Sequence, residues 1–241
     1  MTQADGRRPH RRKPAPRPAL PAALLEGPLC AHCGKPEALC VCDAIEPIDN
    51  RVELLVLQHP QEQDKTLGTA RVAVTHLAKA TFRIGLSWPS LSAALGRDVD
   101  PKRWAVLHMG ASPEEDAPLD REIALLDRHG TPVGNQGPAL RGIEGIILFD
   151  GSWSQAKTLW WRNAWVLKCP RLVLRPTHSS LYGKLRKEPR REGLSTLEAA
   201  AFTLSRLENR PEIEKTMLST FRRMLQRYRS ALEPQGAKPV G

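Results

Sequence analysis

Residues Ile143 to Trp153 read I-E-G-I-I-L-F-D-G-S-W. A short aliphatic run ends in Asp150, turns at Gly151 and passes into a helical pattern that begins near Ser154. Such a run, with no polar alternation, is the sequence of a strand covered on both faces, as in a parallel sheet. Runs of the same kind occur at Arg51 to Gln58, Trp104 to His108 and Leu172 to Leu174. Helical patterns separate them, at Thr69 to Ala80, Asp120 to His129, Ser154 to Trp161, Thr196 to Leu207 and Ile213 to Leu232. Alternating strands and helices predict an α/β domain on a parallel sheet. Ligands of open α/β sheets bind beyond the carboxyl ends of the strands, so Asp150 is the first candidate for chemistry. Asp-Gly-Ser is also ordinary turn and helix-cap chemistry, and the tetrapeptide alone does not decide the matter.

Two helices carry further local signals. Ser195-Thr196-Leu197-Glu198 is a capping-box sequence, in which hydroxyl and carboxylate satisfy free N–H groups at a helix start. Ile213, Met217, Phe221, Met224 and Tyr228 recur at three- and four-residue spacing, an apolar stripe best read as core. Trp153, Trp160, Trp161 and Trp165 are dense for a chain with 5% aromatics. They suit stacking on bases or adenine, although the four-residue step from Trp161 to Trp165 predicts core positions.

Cys30-Ala31-His32-Cys33 followed by Cys40-Val41-Cys42 gives C-x2-C, six residues, then C-x-C. Four thiolates so close converge on one tetrahedral ion when the chain doubles back, and Gly34 and Pro36 stand where a knuckle turn is needed. Zinc suits the set, and with four sulfurs the coordination shell is closed, so the ion would brace the fold without doing chemistry. Iron–sulfur ligation, disulfides and idle thiols are the other readings of the same cysteines. His32 is expected outside the ligand set, and Cys169 as an ordinary thiol.

The 241 residues are enough for one sizeable core with a minor appendage, and 41% hydrophobic and 26% charged residues are a folded composition. The net charge is +10, a field that attracts polyanions. Ala156 to Arg191 holds ten Lys or Arg against the single Glu188, enough to track a phosphate backbone. No apolar window approaches membrane-spanning length, and no Gly-rich dinucleotide or Walker phosphate loop follows a strand. Clustered cysteines in a chain of this size fit a reducing compartment, with cytoplasm the default and no protein partner implied. The division expected is a disordered basic arm over residues 1–27, a four-cysteine zinc segment over 28–48, a catalytic domain over 49–232 and a flexible tail over 233–241.

Read together and in order, several motifs resemble the DTW-domain family. They are the C-x2-C-x6-C-x-C set, H-P-Q-E at His59 to Glu62, T-A-R at Thr69 to Arg71, D-G-S-W at Asp150 to Trp153, L-R-K-E-P at Leu185 to Pro189 and L-S-T-L-E at Leu194 to Glu198. The coincidence runs from about Cys30 to the final helix. The family core is Asp-x-Thr-Trp, and Ser152 stands here in place of the threonine, keeping the hydroxyl.

The resemblance implies a SPOUT-like α/β domain, knotted in its C-terminal half, with a small N-terminal zinc-binding subdomain formed by the four cysteines Cys30, Cys33, Cys40 and Cys42. It also implies bent S-adenosylmethionine as co-substrate and tRNA as partner. Similar proteins move the 3-amino-3-carboxypropyl group to N3 of a uridine and release methylthioadenosine. By motif match, Asp150 is the catalytic residue, and Gly110, Asp150, Gly151, Ser152, Trp153, Tyr182, Leu194, Ser195 and Thr196 cradle the donor. Arg71, Lys157, Arg186, Lys187, Arg190 and Arg191 are the RNA candidates. A SPOUT-type RNA methyltransferase, an rRNA aminocarboxypropyltransferase and a non-enzymatic zinc-dependent RNA-binding protein remain open at this point.

Overall fold

The aliphatic runs around residues 53 and 147 become the two central strands of the molecule. In the computed structural model, which describes residues 27–63, 65–107, 122–176, 178–185 and 193–232, β1 (Glu53–Gln58) and β5 (Gly145–Asp150) pair in parallel over their whole length. The others are β2 (Ala80–Ile84), β3 (Trp104–Leu107), β4 (Ile123–Leu126) and β6 (Arg171–Leu174). The six form one sheet in the order β2-β1-β5-β3-β6-β4, parallel except for β4 against β6. The described helices are α1 (Ala70–Thr75), α2 (Leu91–Leu95), α3 (Gln136–Arg141), α4 (Trp153–Arg162), α5 (Thr196–Glu208) and α6 (Pro211–Leu232). None is long and apolar enough to cross a membrane.

Both sheet faces are covered, as the uninterrupted aliphatic runs require. Leu54, Val56, Ile146 and Leu148 face one core with α1, α5 and α6, whereas Leu55, Leu57 and Ile147 face a second with Trp104, Trp165 and Val166. The buried aliphatic residues of the central strands therefore pack against the layers on either face, worth about 1.5–3 kcal/mol for each fully buried group. Cys33 and Val41 of the cysteine segment belong to the first of these cores, and Leu39 beside them is also buried. At the start of β5, a Cβ on Gly145 would stand 2.5 Å from the Trp104 ring on β3, so glycine is what allows the indole to lie across the strand.

Several sequence expectations are corrected. The helix expected over Thr69 to Ala80 stops at Thr75, and Ala80 opens β2. The Asn50 side-chain amide bonds both Lys79 O and Lys79 N at 2.9 Å and draws this segment into the sheet. The helix expected over Asp120 to His129 is instead strand β4, whose four residues are all buried. Asp127 accepts from His129 N and Thr131 N and closes a turn after it. Charged residues flanking a short aliphatic run imitate a helical pattern there. The parallel sheet expected is present, and β4 adds one antiparallel edge to it. Trp161 is 79% exposed, because α4 ends at Arg162 and Asn163 breaks the phase with Trp165, which is buried in the following 3-10 turn. The expected arm and tail lie outside the described residues, Gly27 excepted.

His76 is fully buried at the C-cap of α1, and neither ring nitrogen has a hydrogen-bond partner within the described protein. Burial pulls its pKa from 6.5 to about 4. The folded protein therefore binds this proton less readily than the unfolded chain. Its stability is complete above about pH 6.5 and falls as pH drops toward 4, by roughly 3 kcal/mol in all. Urea denaturation at pH 7 and 4.5 should show this loss, and His76→Leu should flatten it. An unchanged pH slope in that variant would refute the assignment.

Candidate active site and metal centre

Strands β1 and β5 are neighbours whose connections part company. From β1 the chain passes through α1 to β2 on one side, and from β5 it passes through α4 to β6 on the other, with the two helices contributing to opposite cores. A crevice opens beyond the strand ends at such a reversal. Gln58 and Asp150, the last residues of the two strands, are register partners there.

Asp150 is nine-tenths buried and receives a hydrogen bond on each carboxylate oxygen. Gln58 Nε2 donates to Oδ2 at 2.8 Å, and the Thr196 hydroxyl donates to Oδ1. Gln58 Oε1, also buried, has no partner within the described protein. A flipped amide would put that oxygen against the carboxylate, so Asp150 fixes the amide orientation. Two helix starts meet at this point. Ser152 caps α4 with Gln155 completing the box, and Ser195 caps α5 with Glu198. Their free N–H groups and aligned dipoles give a partial positive charge suited to anionic groups. Gly151 permits the approach, since a Cβ there would lie 2.9 Å from Gln155 Cβ.

The expected donor-cradling residues are thus unequally placed. Asp150, Gly151, Ser152, Trp153, Ser195 and Thr196 come together at the strand ends, with Leu194 next to them in sequence. Tyr182 is buried; its ring packs edge-on against Phe221 and its hydroxyl donates to Leu67 O. Glu198 accepts from Ser180 Oγ and from Leu181 N and so holds this turn against α5. Gly110, Arg186, Lys187, Arg190 and Arg191 lie outside the described residues. Of the remaining RNA candidates, Lys157 is exposed on α4, while the Arg71 guanidinium lies 5.0 Å over the Phe82 ring. Gln58 and Lys35 were not foreseen. Gln58 ends an aliphatic run as Asp150 does, and that shared pattern is the signal that could have found it.

The four cysteines gather as the spacing predicts. Gly34 N bonds Cys30 O and Cys30 N bonds Lys35 O, both at 2.8 Å, with Gly34 in a left-handed conformation that closes the turn. Sγ separations are 3.8 Å for Cys30–Cys42 and for Cys33–Cys40, and all four atoms lie within 4.8 Å of one another. A tetrahedron with zinc–sulfur bonds of about 2.3 Å has edges of about 3.8 Å, so the set fits that ion. The donor chemistry agrees. The Cys33 backbone hydrogen bond lowers Cys30 to about 6, whereas burial raises Cys33 and Cys42, and neighbouring thiolates need a cation to coexist. His32 is exposed. Cys169 is buried, its pKa raised to about 12 by that burial.

Lys35 links this cluster to Asp150. Its side chain is 4% exposed, and Nζ donates to Thr66 O at 2.7 Å. Burial lowers its pKa to about 8, opposed by the negative charges of Cys33 and Asp150. The loop it holds is also bonded by the Tyr182 hydroxyl at Leu67 and by Leu197 N at the Thr69 hydroxyl. Leu197 follows Thr196, the residue on Asp150. A continuous chain of contacts therefore runs from the sulfurs to the carboxylate. A separate cleft of about 650 Å³ is lined by Lys102, Gly142, Ile143 and Lys168 among others. It lies at the start of β5, roughly 16 Å along the strand from Asp150 at about 3.3 Å per residue, and strand-end chemistry does not reach it.

Comparison with known proteins adds a family. The profile of the DTW domain matches residues 27–229. The tRNA-uridine aminocarboxypropyltransferase 2 of Macaca fascicularis is 31% identical over 200 residues, which cover 79% of this chain and 60% of that protein. The Mus musculus protein of the same name is 29% identical over 201 residues with the same coverage. The Drosophila melanogaster one is 29% identical over 196 residues, covering 78% and 70%. The chain thus spans about 60% of the length of the two mammalian relatives. No solved structure gives a significant match.

Proposed function

The chain belongs to the DTW-domain family, and from that membership we propose that it transfers the 3-amino-3-carboxypropyl group of S-adenosylmethionine to N3 of a uridine in tRNA. The observation that carries this reading is the doubly hydrogen-bonded Asp150 at the strand-end reversal. It is supported by relatives named for the same transfer and by a net charge of +10 suited to RNA.

The N3–carbon bond forms as the carbon–sulfur bond breaks. The sulfonium leaves as the neutral thioether methylthioadenosine, and the N3 proton passes to Asp150 and then to water. Gln58 and Thr196 hold the carboxylate in place for that proton, and orientation decides that the chain carbon rather than the methyl meets the nucleophile. The two helix starts offer N–H groups to the donor carboxylate. Cys30, Cys33, Cys40 and Cys42 hold zinc, which supplies structural bracing. The uridine must be unstacked to be reached, as it is in a tRNA loop.

Incubation with S-adenosylmethionine and unmodified tRNA should release methylthioadenosine and add the aminocarboxypropyl mass to a uridine. Release of S-adenosylhomocysteine would make the protein a methyltransferase and overturn the proposal, and transfer to rRNA but not tRNA would overturn its choice of substrate.

A further inference from the structure

Helix α4 starts at the turn that bears Asp150 and carries an unusual outer face. Its inner face is ordinary, with Ala156 and Leu159 buried, and Trp160 meets Phe149 edge-on with ring centroids 6.2 Å apart. On the outside, Trp153, Lys157 and Trp161 follow at four-residue intervals, the spacing that puts side chains above one another on one helix face. All three are exposed, Trp153 by 39% and Trp161 by 79%. Lys157 Nζ lies 5.6 Å from the centre of the Trp153 ring. The next turn adds Leu167 and Lys168, both exposed.

Indoles are large apolar groups, and leaving two on one exposed face forgoes burial that folding would otherwise use. Along the segment that carries them the charge has one sign. From Gly151 to Arg175 the chain has Lys157, Arg162, Lys168, Arg171 and Arg175 and no Asp or Glu. A surface with flat aromatic faces and cations beside them complements a single nucleic-acid strand, whose bases stack and whose phosphates are anionic. A protein partner recognised by such a surface would have to supply carboxylates of its own, and a second copy of this chain would bring the same cations against it.

We propose that the Trp153-Lys157-Trp161 face is a stacking shelf for single-stranded nucleotides next to the target uridine, with an unpaired base on Trp161 and a phosphate beside Lys157. The proposal rests on the RNA-substrate reading above and assigns to it a surface leading away from Asp150. About 12 Å separates the first and last shelf positions at 1.5 Å per residue, room for more than one nucleotide. Trp161 reads no base identity, since every base has a face to stack.

The test uses the full chain and bulk unmodified tRNA as the probe. Binding is followed for wild type, Trp161→Ala, Trp161→Phe and Lys157→Ala at several salt concentrations, with circular dichroism and melting to confirm equal folding. Trp161→Ala should weaken tRNA binding about tenfold, within the range expected for one stacked base, and leave the salt slope unchanged. Trp161→Phe should recover most of the affinity. Lys157→Ala should reduce the salt slope by about one phosphate contact. Wild-type binding with no loss in a folded Trp161→Ala protein would overturn the shelf while leaving the RNA reading intact. Absence of tRNA binding by wild type would overturn that reading itself. A wild-type dimer in sedimentation that Trp161→Ala converts to monomer would make the face a self-association surface and overturn the proposal.

Discussion

Asp150→Asn is expected to lower turnover by about 10²- to 10⁴-fold, the usual contribution of a positioned acid or base, with tRNA affinity nearly unchanged. The side chain keeps its shape but can no longer take a proton, and Gln58 and Thr196, both donors to the native carboxylate, now face an amide. One of those bonds must be lost or reversed, at about 1.5–3 kcal/mol for a hydrogen bond to a charged group. Melting will separate that structural effect from the chemical one. Gln58→Leu and Thr196→Val should each be milder, since they loosen the carboxylate without removing it. The measurement is single-turnover transfer with saturating donor. Activity within a few-fold of wild type in a folded Asp150→Asn protein would remove Asp150 from the reaction.

Loss of the metal centre should have the second largest effect. Cys42→Ser leaves three sulfurs of the four that converge, and structural zinc sites in small domains supply about 10–16 kcal/mol of apparent binding energy, comparable with a whole domain's net stability. Because Cys33 and Val41 share a core with β1, α5 and α6, the damage will not stay within the cysteine segment. Zinc content of the wild type should be near one per chain, and Cys42→Ser should lose it and melt lower by about 10 °C, as a loss of 3–5 kcal/mol implies at this size. Lys35→Met separates bracing from coupling. That variant keeps the cluster and a buried chain but removes the bond to Thr66 O, so zinc and melting should hold while the KM for S-adenosylmethionine rises. Normal KM and turnover in Lys35→Met would show that the contact chain to Asp150 is not used.

Much of this site was legible because its signals are local. Asp150, Gly151, Ser152 and Trp153 form a strand end, a turn and a helix start within four residues, and the cysteine cluster and the Ser195–Glu198 box are equally compact. The partners of Asp150 were not legible as partners, since Thr196 and Gln58 lie 46 and 92 residues away in sequence and only sheet register and helix placement unite them. Lys35 was hidden for a different reason. Lysine is normally a surface residue, and its burial becomes intelligible only once the loop carbonyl that accepts from its Nζ is known. Strands β2 and β4 failed for want of pattern. The first shows no fully buried position, and the second is four apolar residues between charges, which periodicity cannot tell from a helix turn.

Trp104 and Gly145 bear on the chemistry from the far end of the sheet. The indole occupies the space where any other residue at 145 would project its Cβ, so a slip of β5 by one step along β3 would drive Glu144 or Ile146 into the ring. The pair acts as a peg in a notch, indexing the central strand. What the peg sets is elevation: with Gly145 level with Trp104, Asp150 stands five residues further along β5, three beyond Ile147, the last residue paired with β3. A ring at the base of the sheet thus gauges the height of the carboxylate at its rim.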